Sequence, residues 1–306
     1  MTATRGTETQ GSAARVASPV SRARAPRRRR TRLTPARVAF GLGVAGLSVL
    51  FCYPLVWLVS ASLKPRSRVF DNALLPDPPM WQNYVTVWQQ IPLLRWFANT
   101  VVVGVAAAAA VTASSALVAF GFAYFRFRAR NVLFGVVLAT MMLPGAVTMV
   151  PTYLVWHRLG LATTQVPLWA GNLFGSAFYV FLLRQFFLTL PRDLFDAARV
   201  DGLSYLGLFG RIAVPLSKPA LVMTFVFELR ASWTDLMKPL IYLRDPALFT
   251  LPRGLKAVLD QFGQGGELRW EVVLAASVLA TVPMILLFLA AQRFFVEGIA
   301  TTGRRG

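Results

Sequence analysis

A chain of 306 residues that is 56% hydrophobic, 15% charged and of mean hydropathy +0.54 carries more apolar surface than a water-soluble core can bury, so it reads as an all-α polytopic membrane protein. The net charge of +19 comes with one cysteine, Cys52, and one histidine, His157. That excludes a disulfide framework within the chain and leaves almost nothing for a Cys/His zinc cluster.

The first 37 residues hold ten arginines and a single acid, Glu8, and include the run Arg27-Arg28-Arg29-Arg30. Such a segment lacks the apolar side chains for a core and is expected to be a disordered basic cytoplasmic tail on anionic membrane lipid. Nucleic acid is the other partner such a run could serve, but a span adjoins it, so no nucleic-acid partner is expected. Val38 to Leu63 is uncharged and ends directly at Lys64, too long for a signal peptide, which makes it an uncleaved first span. Four more windows, Trp96 to Phe125, Asn131 to Trp156, Leu159 to Leu183 and Val272 to Gln292, reach the ~20 uncharged residues that a bilayer requires. Pro219 to Leu243 is interrupted by Glu228, Arg230, Asp235 and Lys238. It still counts as a sixth span, since an odd number would separate the basic N-terminus from the basic C-terminus (Arg293, Arg304, Arg305). With six spans and both termini cytoplasmic, 21 of the 32 Lys and Arg lie inside, ten outside and Arg230 within a span, the bias expected of that orientation. The domain layout is then a tail at 1–37, a six-helix domain at 38–300 and a short cytoplasmic tail at 301–306.

Two outer loops carry structure of their own. Asp71 to Pro79 is rich in Pro and Asp, and Trp81, Tyr84, Trp88 and Trp96 then recur as in a headgroup-level helix entering the second span. Arg244 to Glu271, with Asp245-Pro246, Gly263 and Gly265-Gly266, is expected to face water and could receive a soluble partner.

The inner segment Leu190 to Pro219 is the most informative. Asp193 suits an N-cap, Asp196 follows three residues on, and Gly202 suits a left-handed helix end. These predict a short helix from Asp193 to Asp201, then a second from Ser204 to Val214 that stops before Pro215. The result is a helix-turn-helix with Leu194, Phe195 and Ala198 on one side.

Asp196-Ala197-Ala198, Gly202 and Ile212-Ala213-Val214-Pro215 fall at the spacing of the Glu-Ala-Ala loop in the permeases of ATP-binding-cassette importers, and here the chain resembles their sugar-type branch, similar to the maltose permease family. The first acid is Asp instead of Glu, and Val214 stands where the family has Leu. Asn99-Thr100, Phe120 to Arg130, Met142-Leu143-Pro144-Gly145, His157-Arg158-Leu159-Gly160, Phe181 to Phe187, Trp233-Thr234-Asp235 and Thr250-Leu251-Pro252 follow in the family's order, so the likeness covers residues 38 to 300. It implies the six-helix type I importer permease (MetI-like) fold. It also implies a homologous second permease subunit, a cytoplasmic ATPase dimer and an extracytoplasmic solute-binding protein. The coupling loop 190–218 would grip the ATPase through Asp196, Ala197, Ala198, Asp201, Gly202, Ile212 and Pro215.

The chain has no Gly-x4-Gly-Lys-Ser/Thr loop, so ATP and Mg are expected on the partner chain, with no cofactor, metal or catalytic residue here. His157 is expected to pack at the interface. Glu228, Ser232 and Asp235 share one face of a continuous helix, while Arg230 projects away from it and should pair elsewhere. The stripe either lines a solute path or packs against a partner helix. Pro144, Gly145, Pro151, Gly171 and Gly175 interrupt regular helix. Neutral Asn172, Trp169, Tyr179 and Trp233 suit the hydrogen bonds and ring faces of a sugar. The rivals are a secondary transporter or channel coupled through Glu228 and Asp235, and an importer permease for a non-sugar solute.

Overall fold

The computed structural model describes residues 35–264 and 268–302, with side chains as far as residue 290 save those of 37 and 264. The basic run before residue 35, Gly265-Gly266, and the last four residues lie outside it. Every regular element among the described residues is helical.

In chain order these are α1 (Pro35–Ser62), α2 (Gln82–Gln90), α3 (Leu93–Tyr124), α4 (Arg130–Thr140), α5 (Gly145–Arg158), α6 (Val166–Trp169) and α7 (Ala177–Phe187). There follow α8 (Arg192–Val200), α9 (Tyr205–Leu208), α10 (Val214–Leu216), α11 (Lys218–Thr234), α12 (Met237–Tyr242), α13 (Leu251–Val258) and α14 (Trp270–Thr302). Val38–Ser62, Leu93–Tyr124 and Trp270–Ala290 are straight helices long and apolar enough to cross a bilayer. Three bent pairs raise the count to six if each is one span: α4 with α5 at 95°, Val166–Phe174 with α7 at 41°, and Tyr205–Leu216 with α11 at 81°. The 95° bend falls at Pro144, which lacks an amide donor and pushes Leu143 out of helical conformation.

The chain divides into two units at Cys52. Within the first, α1 presents Phe40 and Phe51 outward, as a lipid-facing helix does, and Ser48 Oγ donates to the Val44 carbonyl at 2.8 Å.

In the second unit α3 is the central helix, flanked by α7 and α11. Its small residues Ala107, Ala108, Ala116, Ala119 and Ala123 are buried, which lets neighbouring backbones come close. A Cβ on Gly104 would stand 2.9 Å from the Leu229 Cδ1 methyl of α11, so α3 and α11 cross closely there and a larger residue would displace that side chain. Two clusters hold the bundle. At one end Trp96, Trp233, Tyr242, Phe249, Val258 and Phe262 pack together; at the other Phe120, Phe187, Phe195 and Leu208 do.

The segment after Arg244 is only partly water-facing, contrary to expectation. Leu251, Gly254, Val258 and Phe262 are buried. A Cβ on Gly254 would fall inside the Trp96 ring, so α13 lies directly on that indole. Trp96 Nε1 donates to the Pro246 carbonyl at 2.9 Å, Asn99 Nδ2 to those of Ala247 and Phe249 at 2.9 Å each, and the Leu251 amide to Thr100 Oγ1 at 2.7 Å. The start of α3 thereby satisfies polar backbone that would otherwise have to face water. Trp96 is thus a core residue, whereas Trp81, just before α2, and Trp88, within it, are exposed as a membrane-interface belt would be. Between α1 and α2, Lys64 is 1% exposed and donates to the Asp71 carboxylate at 2.5 Å, with Arg68 on its other oxygen at 3.1 Å.

Candidate functional site

Two places gather the polar and exposed residues singled out above. The first is the hairpin α8–α10 at the Phe120 end. Pro191 occupies the N-cap in extended conformation, which places Asp193 in the first turn and not at the cap. The proline presets the extended backbone that an N-cap needs, and Asp193 one turn in still meets the positive end of the helix. The helix closes as the sequence suggests: Gly202 is left-handed at φ +86, its amide reaches the Arg199 carbonyl at 3.0 Å, and the Leu203 amide reaches that of Ala198 at 3.0 Å.

Ser204 Oγ then accepts from the Gly207 amide at 3.2 Å and starts α9. The second helix does not stop before Pro215. A π-helical turn, Phe209–Ala213, brings the Val214 amide to the Phe209 carbonyl, and Pro215 sits in the first turn of α10, where no amide donor is required. The chain bends only at Ser217, leading directly into α11.

Phe195 is the buried residue of α8, with its ring 6.2 Å from Phe120 and 5.5 Å from Tyr124. Phe120 also meets Phe187 and Phe209 at 6.1 and 5.4 Å, so the hairpin is rooted in the end of α3. Leu194, expected beside Phe195, is half exposed. Asp196, Ala197, Asp201, Gly202 and Pro215 are exposed, Ala198 and Ile212 half-buried. Between the acids stands Val200 at 88% exposure, and Leu206 on α9 is at 76%. Apolar side chains that open on a water-facing tip mark a contact surface.

The second place is the break between α6 and α7. A 3-10 turn, Ala170–Phe174, carries Asn172, whose Nδ2 donates to Glu228 Oε1 on α11 at 2.6 Å and to the Ala107 carbonyl on α3 at 3.3 Å. Ser114 Oγ donates to the Asn172 carbonyl at 3.0 Å, and Ser115 Oγ accepts the Ser176 amide at 3.1 Å. Gly175, at φ +79, makes the turn possible. The buried Tyr179 hydroxyl approaches the same carboxylate from α7. Asn172, Tyr179 and Glu228 therefore meet. Ser114 and Ser115 were overlooked, although a serine pair in an otherwise Ala- and Val-rich span is a visible signal.

The expected stripe does not continue. Helix α11 ends at Thr234, and Asp235 turns into extended conformation (φ −70, ψ 116), where it accepts the Lys238 amide at 3.2 Å and pairs with Lys238 Nζ at 3.8 Å. A short carboxylate that bonds its own following backbone competes with helix continuation. Ser232 is half-buried toward Gly104, and Trp233 packs in the core edge-on to Phe97 at 5.5 Å. Arg230 is exposed and lines an apolar groove of about 280 Å³ between α11 and α14. His157 is exposed beside the Tyr153 ring. No group of three His, Cys, Asp or Glu among the described residues could hold a metal ion.

Comparison with known proteins fits this architecture. Residues 101–301 match the family described as "Binding-protein-dependent transport system inner membrane component". The arabinooligosaccharides transport system permease protein AraQ of Bacillus subtilis is 33% identical over 278 residues, covering 88% of this chain and 96% of that one. The sn-glycerol-3-phosphate transport system permease protein UgpE of Yersinia pestis is 34% identical over 260 residues, covering 82% and 91%. A chain of a bacterial ABC transporter involved in import of the acidic polysaccharide alginate superimposes with TM-score 0.73 at 23% identity, over 86% of this chain and 98% of that one, and so shares the fold. The chain belongs to the inner membrane components of binding-protein-dependent transport systems, and is a permease subunit of a membrane importer.

Proposed function

We propose that this permease forms half of the path of an ATP-driven sugar importer, with the hairpin α8–α10 as the docking element for a separate ATPase chain. The exposed tip carries the reading: Asp196, Ala197, Val200 and Asp201 surround a left-handed glycine at the end of a helix whose other face is anchored by Phe195. Small Ala197 admits close approach, Val200 offers apolar area, and the two carboxylates offer charge-assisted bonds.

Because α10 runs through the bend at Ser217 into α11, a push on the hairpin acts on the helix that carries Glu228. The Asn172–Glu228–Tyr179 cluster is the proposed gate or lining of the solute path, with a homologous second permease supplying the other half. The excess of Lys and Arg on the side of this hairpin supports a cytoplasmic hairpin and cytoplasmic termini. The opposite end, with α2 and the capped segment around α13, would then meet an external solute-binding protein. The sugar assignment follows the name of the AraQ relative, and the name of the UgpE relative supports a second reading, a glycerol phosphate.

The test is co-purification of a nucleotide-binding chain with tagged permease from membranes. Ala197→Trp should abolish capture while leaving the permease inserted, and Thr163→Trp, at an exposed turn remote from the hairpin, should not. Equal capture by both variants would refute the docking assignment.

A further inference from the structure

Where α3 hands over to α4, the chain places Arg126, Phe127, Arg130, Asn131 and Val132 around an open pocket of about 560 Å³, with Arg192 at the start of α8 on its lining as well. Three guanidinium groups thus line one cavity and no carboxylate does. Among the described residues, no carboxylate forms an ion pair with Arg126, Arg130 or Arg192. Arg130 is also the first residue of α4 and Arg192 the first of α8, so two helix amino ends add their partial positive charge to the lining. Asp196 lines the adjoining pocket with Arg126 and Arg192 but forms no ion pair with either, so an anion from outside the chain would still relieve the repulsion among the three arginines.

The level of the cavity identifies the anion. It opens where α3 has just ended at Tyr124 and α4 begins a bent span, which is the depth of lipid headgroups on that membrane face. Its rim includes two apolar side chains that stay open, Phe127 at 44% and Val132 at 68% exposure. A free phosphate would gain nothing from them, whereas a phospholipid whose phosphate lies among the arginines would lay its glycerol and first methylenes on them.

We propose that this cavity is a binding site for the phosphate of an anionic membrane phospholipid. It fixes the turn between the second and third spans against the base of the coupling hairpin. The proposal rests on the reading above only in assigning this face to the cytoplasmic leaflet.

The full chain, purified with whatever subunits accompany it, is reconstituted in phosphatidylcholine nanodiscs with and without phosphatidylglycerol, and retained lipid is read by native mass spectrometry. Phosphatidylglycerol should be retained over phosphatidylcholine. Replacing arginine by glutamine in Arg126→Gln and Arg192→Gln should weaken retention by about fivefold for each, the equivalent of roughly 1 kcal/mol per basic residue near an anionic surface. Arg211→Gln and Lys218→Gln, basic and exposed in the same loop but outside the cavity, should leave retention unchanged. Equal loss in all four variants would overturn the site in favour of diffuse surface charge. Displacement of the lipid by millimolar inorganic phosphate would make it a site for soluble phosphate. Retention by the isolated permease that disappears once a nucleotide-binding chain is bound would make it a protein contact. Failure to capture a nucleotide-binding chain at all would count against the coupling assignment and leave the lipid measurement to be scored as it stands.

Discussion

Truncating Phe195 to alanine should release the α8–α10 hairpin, the proposed coupling element, without touching its exposed face. The ring is 5% exposed and lies among Phe120, Tyr124 and their neighbours. A buried phenylalanine removes about 200 Å² from water, which at ~25 cal/mol per Å² is about 5 kcal/mol. Measured truncations of such rings cost roughly 3–5 kcal/mol, because the cavity relaxes only partly. No other side chain of α8 is buried, so most of this loss falls on the attachment of α8 and not on the bundle. At the lower figure, local opening rises by about a hundredfold. Amide exchange read by mass spectrometry should therefore speed up by about that factor over residues 192–202, with α3 and α11 little changed. In reconstituted vesicles, solute-dependent stimulation of the partner's ATP hydrolysis should collapse. Phe195→Leu should recover much of both, and Leu194→Ala, at a half-exposed neighbour, should shift stability by less than about 1 kcal/mol. Unaltered exchange in α8 together with intact coupling in Phe195→Ala would refute the idea that this ring ties the hairpin to α3.

Gly202→Trp should keep the chain in the membrane and abolish uptake while basal ATP hydrolysis persists, because nothing surrounds the position but its φ of +86 strains any side chain; unchanged uptake would count against the docking role. Glu228→Leu leaves the Asn172 amide without its 2.6 Å acceptor inside a span and should lower uptake by roughly tenfold or more, with Glu228→Gln recovering most of it. Equal uptake by wild type and the leucine variant would remove this cluster from the path. In the loop after α1, the Asp71 carboxyl is held below the ordinary aspartate range, chiefly by the hydrogen bond from Lys64, with Arg68 adding to it. A depressed native pKa contributes stability that is complete above the ordinary value of about 3.9 and is lost as pH falls through the native value. Amide protection over residues 60–84 should accordingly decline only in acid. Asp71→Asn should show the loss already at neutral pH with no further acid dependence, and a variant as well protected as wild type at neutral pH would contradict the linkage.

What could be read from the sequence follows physical constraint. The limits of the second span were legible to within three residues, since Arg95 and Arg126 bracket an uncharged stretch and lipid tolerates no other end. Gly202 was legible because a left-handed helix end needs glycine. The cap was expected two residues too late, at Asp193, because the rigid Pro191 already sets the extended backbone that starts the helix. The stripe failed for a different reason. Periodicity places Glu228 and Asp235 on one face only while the helix lasts, and whether it lasts past Thr234 depended on a local bond from Lys238 that no periodicity reports. That failure bears on function. With Asp235 drawn off to Lys238, Glu228 is the acid that meets Asn172 among the described residues, hydrogen-bonded to a neutral amide and approached by a phenol. The two carboxylates that ion coupling would use do not share a helix face, because Asp235 is bonded within the turn that follows α11. A carboxyl group held by neutral donors can change partners at small cost when α11 moves, which is what the proposed gate, driven from the hairpin, requires.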